Sequence, residues 1–443
     1  MPENLHAPGR LASPWGNASL PAKPMAVHRT LAALAVLTVF SHADLPEGLP
    51  DPLIANDGSP VKSADAWWQT RRPELLRFFT THMYGRSPAR PQRMDFEVFD
   101  RDTQALGGKA TRVQIAIHPG GAGGPRIDLL VYLPNGKDKP MPAVIGLNFW
   151  GNHAIHKDPG IRITESWVEE RAGRYVDLTG VENHRATDAT RGVNSSQWPV
   201  EEIISRGYAL ATIYREDIAA DHEPHFQSGI HPRFPSYQES DDNFGTIAAW
   251  AWGLCRGLDA LETLPAIDPK RVAAFGFSRL GKAALWAGAT DPRFAMVISN
   301  ESGAGGAKLF RRASGESLER LNTHFPHWFC RNFRAYNGKD TTLPFDQHQV
   351  ISLIAPRPVY VASAIEDKHS DPEGEFWGAK AAEPVYQLLG KPGLPAGAWP
   401  EPGISVQGTL GYHVRPGVHD VTGEDWKHYL DFMDRHFGGG PGK

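Results

Sequence analysis

Cysteine is almost absent. The 443 residues hold two, Cys255 and Cys330, which excludes a disulfide-dense scaffold and a cysteine-based zinc site. One bridge between them stays open, because sequence alone does not bring two sulfurs together. Charge of either sign is not in excess either: 46 Lys and Arg stand against 50 Asp and Glu, a formal net charge of −4. That leaves no basic footprint for nucleic acid or an anionic membrane. The one long apolar run, Leu31–Phe40, falls short of the ~20 residues that span a bilayer. Internal repeats and low-complexity tracts are missing, and 41% hydrophobic with 22% charged residues excludes a disordered chain or a fibre.

What is abundant is glycine (45), proline (37) and tryptophan (13). Gly and Pro together exceed their usual ~12% share, which predicts many ordered loops. His28 and Arg29 precede the apolar run, and Ser41-His-Ala43 supplies small residues at the −3 and −1 positions of a cleavage site. This is the layout of a secretory signal peptide, with Met25 the expected true start and residues 1–43 removed. The expected product is secreted or periplasmic, and a monomer.

Length alone allows two or three domains or one sheet with long loops. A helix is expected around Ala64–Tyr84, then β-rich stretches at Met94–Val98, Arg112–His118 and Asp128–Leu133. From Ala143 short apolar strands alternate with helices. Val144–Leu147, Ala209–Ile213, Val272–Phe275, Ala295–Ser299 and Val359–Ala364 read as strands buried on both faces. Thr246–Thr263, Gly281–Ala289, Glu375–Leu389 and Trp426–Phe437 read as helices. The alternation predicts an α/β fold, a three-layer sandwich with a mostly parallel central sheet covered by helices. No linker interrupts it, so residues 44–443 are expected to form one catalytic domain with a β-rich N-terminal part. Gly151–Trp198 is a long polar stretch of weak periodicity, of the kind that carries function in compact domains.

Chemistry concentrates at Val272-Ala-Ala-Phe-Gly-Phe-Ser-Arg-Leu-Gly-Lys282. A strand that turns sharply at a serine and enters a helix exposes the hydroxyl and aims backbone N–H groups at an oxyanion. The second glycine, Gly281, lies one residue beyond the usual G-x-S-x-G spacing. The segment also fits the phosphate-cradling G-x-x-x-x-G-K pattern, but that loop next needs Ser or Thr, and Ala283 follows. A serine nucleophile needs a histidine base oriented by a carboxylate. His419 lies in a glycine-containing loop before the last helix, with His413 as rival in the preceding strand. Glu301 and Asp367 follow strands, and either suits the acid. Asp221-His-Glu-Pro-His225 has histidines three apart and a helix-breaking proline, which argues against a metal; no cofactor is expected. Trp150, Trp167 and Trp198 flank the long polar stretch, where they either line a sugar cleft or pack.

Together, Gly276-Phe-Ser-Arg-Leu-Gly-Lys282, Asn300-Glu-Ser-Gly-Ala-Gly-Gly306, Phe325-Pro-His-Trp-Phe329 and the His419-Asp420 loop resemble the bacterial glucuronoyl esterases. The resemblance runs from about Trp67 to Phe437. It implies a metal-free, secreted α/β-hydrolase that cleaves esters of glucuronic or 4-O-methylglucuronic acid, as in lignin–glucuronoxylan linkages. It further implies Ser278 as nucleophile, His419 as base, Glu301 as acid with Asp367 as the alternative, and Arg279 as oxyanion residue. Lys282 and Glu316 match residues that bind sugar hydroxyls, and Trp198 is a further expected substrate contact. Members commonly carry Trp where this chain has His369, which offers a hydrogen bond and less apolar area. A carbohydrate deacetylase on the same fold, or a non-catalytic carbohydrate-binding relative, are the alternatives.

Overall fold

Among the described residues, twelve strands form in chain order: β1 (Met94–Gln104), β2 (Ala110–Pro119), β3 (Ile127–Pro134), β4 (Met141–Asn148), β5 (Val181–Glu182), β6 (Arg185–Ala186), β7 (Ala209–Tyr214), β8 (Ile267–Phe277), β9 (Met296–Asn300), β10 (Val359–Ala364), β11 (Ser405–Gln407) and β12 (Leu410–Arg415). They belong to a computed structural model that describes residues 45–121, 123–170 and 176–438. The expected signal peptide, Met25–Ala43, lies outside the described residues. Ten strands make one sheet in the order β1-β2-β3-β7-β4-β8-β9-β10-β12-β11, and β5–β6 is a separate hairpin. The run from β7 to β12 is parallel, whereas β1–β3 and β11 pair antiparallel.

Period-two alternation along the parallel strands divides the core into two layers. Ala143, Ile145 and Leu147 of β4, Val272 and Ala274 of β8, and Val359 and Val361 of β10 join one apolar cluster. It includes the helices Thr246–Leu261, Arg279–Thr290 and His348–Ile354. The intervening Val144, Ala273, Phe275, Tyr360 and Ala362 join another, against Trp426, Tyr429 and Phe432 of the last helix, Gly423–Phe437. Both faces are therefore covered, which is why the strands read as continuous apolar runs. This is the α/β-hydrolase sandwich.

Two expected helices are interrupted. The first turns through a π-type segment, Trp67–Arg71, before Arg72–His82. Glu375–Leu389 is instead Pro372–Ala381 followed by Glu383–Leu388, because Pro384 has no N–H to continue the ladder. Cys255 and Cys330 are both free and buried. No helix among the described residues is long and apolar enough to cross a membrane.

The sharpest bend follows β8. Ser278 adopts φ 56°, ψ −129°, a left-handed conformation that a side chain tolerates only under strong local constraint. Gly276 makes that turn possible, since a Cβ there would lie 2.0 Å from the Leu280 carbonyl oxygen. Gly276→Ala is expected to lose more than about 3 kcal/mol of stability or fail to fold, read by thermal denaturation. Gly423→Ala, where a Cβ would meet nothing within 4 Å, is the control that leaves the melting temperature in place.

Candidate active site

Parallel strands end at the same edge of a sheet, and α/β folds place their sites outside the carboxyl ends. Ser278 follows β8, Glu301 follows β9, Asp367 lies three residues past β10, and His419 lies four past β12. These strands are consecutive neighbours, so residues far apart in sequence converge on one pocket of about 280 Å³ lined by all four.

The helix Arg279–Thr290 starts directly after Ser278. Its first N–H groups therefore have no intrahelical acceptor and present partial positive charge beside the serine. His419 Nδ1 lies 2.6 Å from Asp367 Oδ2 and 3.0 Å from Glu301 Oε2. Burial pulls the imidazole's proton affinity down, but hydrogen bonds to Asp367 and Glu301 overcome it and raise its pKa to about 9. Burial also opposes charge on Asp367, yet the bond to His419 holds that carboxyl down at about 2. Glu301 is the more enclosed acid, and burial pushes it up to about 8. Both acids thus reach the same nitrogen.

Among the described residues, one set of three donors, Glu301, Asp367 and His419, lies within the 4.8 Å that a cation would require. The guanidinium of Arg415, 2.8 Å from Glu301 Oε1, already compensates that carboxylate. The atoms nearest the histidine form a hydrogen-bonded relay, as a serine-type site needs.

Lys282, Glu316 and His369 line the same pocket. Lys282 is buried, and its Nζ donates to the carbonyls of Ser302 at 2.8 Å and Ala304 at 2.5 Å. Glu316 Oε2 lies 3.7 Å from that Nζ, and Glu316 Oε1 is 3.2 Å from His369 Nε2. Burial works against ionisation of Glu316, but Lys282 and His369 hold its carboxyl below the usual range. His369 is 55% exposed at the mouth of the pocket.

Trp198 is a correction. It does not line this pocket; it is 4% exposed and packs edge-on against Phe275 at 5.5 Å and near Trp426 at 6.0 Å. A large apolar ring just ahead of the helix Val200–Ser205 is worth more buried under the sheet than exposed. Trp167 stacks on His222 at 3.8 Å and lines a different cavity. His413 is buried in β12, bonded to Asp425 and Tyr360, which removes it as a rival to His419.

Sequence reasoning missed Asp221. Its carboxylate, 1% exposed, accepts from Arg279 Nη1 at 2.5 Å, from Arg215, from the indole N–H of Trp328 at 2.8 Å and from His327 Nε2 at 2.9 Å. Burial opposes its charge, but Arg279 and Arg215 drive its pKa well below the usual carboxylate range. The Arg279 guanidinium is further fixed over the Trp328 ring, 4.8 Å from its centroid, and Trp328 stacks on Phe325 at 3.7 Å. Its signal was topological: Asp221 follows β7, another parallel strand ending at the same edge.

A family model described as glucuronyl esterase of fungi matches residues 184–390. The chain is 46% identical over 409 residues to a carbohydrate esterase of an unknown prokaryotic organism, covering 90% of this chain and 92% of the relative. A solved glucuronoyl esterase from Solibacter usitatus matches with a TM-score of 0.83 at 44% identity, over 89% of this chain and all of that one. The chain belongs to the glucuronoyl esterase family. A 4-O-methyl-glucuronoyl methylesterase of Schizophyllum commune is 27% identical over 78% of this chain and 74% of its own length. This glucuronoyl esterase family member is thus a carboxylic ester hydrolase on the α/β-hydrolase fold.

Asp221 is the anion between two guanidinium groups, and removing one partner of a buried ion pair strands the others. Asp221→Asn is expected to lower stability by about 3–5 kcal/mol, measured by denaturant unfolding; an unchanged midpoint would show that the cluster is held by packing alone.

Proposed function

We propose that this chain hydrolyses esters of glucuronic and 4-O-methylglucuronic acid, as in the linkage of glucuronoxylan to lignin alcohols, through a Ser278 acyl-enzyme. The observation that carries the reading is the imidazole of His419, held by two carboxylates in one pocket with a serine at a strained elbow. His419 accepts the Ser278 proton as the oxygen attacks the uronoyl carbonyl, then delivers it to the departing alcohol. Water repeats the sequence on the acyl-enzyme. Asp367 and Glu301 stabilise the transient imidazolium. The first N–H groups of the helix and the Arg279 guanidinium stabilise the oxyanion, where a charged donor gives the stronger bond.

An esterified uronate has lost its carboxylate charge, so its recognition rests on hydroxyl groups. Lys282, Glu316 and His369 supply one donor-rich and one acceptor-rich side for them, with Trp328 as the apolar floor. In this reading residues 44–443 act as a single catalytic domain. The mature chain is exported, for which the Met25–Ala43 pattern is the support, and in this reading it works as a monomer.

Acid release from benzyl and methyl glucuronate esters, beside an acetylated xylan, tests the reading. Uronate esters should be cleaved and Ser278→Ala should abolish it. Deacetylation without uronate hydrolysis would replace the substrate class, and silence on both would end the reading.

The pH profile follows from His419. As the base it must be unprotonated, so activity is present above its pKa and lost as pH falls through it. With that pKa near 9, the acid limb of kcat/KM is expected well above the ~6.5 of free imidazole. Asp367→Asn removes one stabilising anion and should move the limb toward neutrality while lowering kcat by about 10–100-fold, Glu301 remaining in place. An unmoved limb would mean that Asp367 does not act on His419.

A further inference from the structure

Arg415 ends β12, four residues before His419, and its side chain is 3% exposed. A guanidinium carries five N–H donors in a rigid fork, and this one directs its three nitrogens in three directions. Nε donates to Asp425 Oδ2 at 2.7 Å, and Nη1 donates to the Pro416 carbonyl at 3.0 Å. Nη2 shares its two hydrogens among Glu301 Oε1 at 2.8 Å, the Val418 carbonyl at 3.0 Å and the Asp420 carbonyl at 2.6 Å. The last two carbonyls flank His419. Glu301 completes the grip, since its Oε2 accepts the Asp420 N–H at 3.2 Å while reaching the imidazole. On the far side Asp425 is fixed in turn, accepting from the N–H and hydroxyl of Thr422 at 2.8 Å each and from His413 at 2.9 Å. That tie anchors the fork to the N-terminus of the last helix.

We infer that Arg415 is the positioning residue of the esterase reaction: its fork clamps the carbonyls of the two residues flanking His419 and holds Glu301 against the imidazole. The inference rests on the proposed role of His419 as base and adds what sets that base in place. The loop Pro416–Asp420 connects a strand to a helix and carries Gly417 at φ 102°, whose carbonyl accepts the Glu366 N–H at 3.0 Å. A general base displaced by about 1 Å forfeits roughly a hundredfold in rate. Lysine, with a point charge on a flexible stem, would keep a cation near Glu301 but would not span Asp425, Glu301 and two carbonyls. The charged and titratable groups facing Glu301 are Arg415, His419 and Asp367, while Arg415 also faces Asp425 and Tyr429.

The test separates fork from charge. Arg415→Lys and Arg415→Met are assayed for kcat, KM, pH profile and melting temperature on a glucuronate ester, at temperatures where each is folded. Both should lower kcat by about 30–100-fold with KM within twofold, because substrate contacts are untouched. The acid limb should move in Arg415→Met, where Glu301 loses its counter-charge, and stay in place in Arg415→Lys. Wild-type kcat in either folded variant, a loss that falls on KM, or an unmoved limb in Arg415→Met overturns the inference. If Arg415→Met does not fold, the kcat and KM of Arg415→Lys decide. Wild-type hydrolysis that survives His419→Ala would instead sink the underlying reading, and is measured separately.

Discussion

Two carboxylates aimed at one imidazole nitrogen repel each other unless positive charge is supplied, and the site depends on how that repulsion is met. Glu301 and Asp367 approach His419 Nδ1 at 3.0 and 2.6 Å. The two acids are not equivalent. Asp367 bonds Ser370 beside the pocket and stays ionised, whereas Glu301 is 1% exposed and has Arg415 as its counter-charge. Buried like charges separate in proton affinity, and here the more enclosed acid takes the higher value. The imidazole is thereby oriented by both and charged against at least one. Its orientation persists through the proton transfer of the proposed mechanism.

The second electrostatic knot has the opposite sign. Asp221 is one buried anion shared by Arg279 and Arg215, with two further donors from His327 and Trp328. A buried carboxylate without such partners would be neutral. Its charge fixes the guanidinium next to the serine and fixes the indole that floors the pocket. In the proposed mechanism an arginine tied to a carboxylate keeps its direction at some expense of its field, so its contribution to an oxyanion comes chiefly from placement.

Much of this was legible in the sequence, for a reason the sheet makes plain. Strands buried on both faces must be apolar throughout, so β4, β7, β8, β9 and β10 announced themselves. The serine elbow did so through Gly276 and the helix after it. Their order along the chain predicted the order of functional residues. Asp221 and Arg415 were not legible, because a charged residue in a loop or at a strand end looks the same whether it faces water or a buried counter-ion. Trp198 failed in the other direction: its place beside a polar stretch suggested a cleft, while burial under the last helix is decided by long-range packing with Phe275 and Trp426. The break between Ala381 and Glu383 was available from Pro384 and was overrun by helical periodicity on both sides.

His369 shows how a local substitution is absorbed by this frame. It follows Asp367 by two residues, and its carbonyl accepts the Glu316 N–H at 2.9 Å, so the main chain ties the acid's loop to the segment that carries Glu316. An indole at this place would add a flat apolar surface; the imidazole adds a hydrogen bond to Glu316 and leaves over half of its own side chain in solvent. Glu316 is then held between Lys282 and His369, its lone pairs directed and its charge compensated. In the proposed reading, recognition rests here on hydroxyl geometry more than on stacking, which discriminates sharply between sugars that present a matching group and those that do not, since an unmatched buried polar group goes unpaired. The contact runs through Glu316 to Lys282, while the imidazole that moves the proton is held from Arg415 and the two acids. The bonds around Glu316 and those around His419 thus meet both at the pocket and through the short chain between Asp367 and His369.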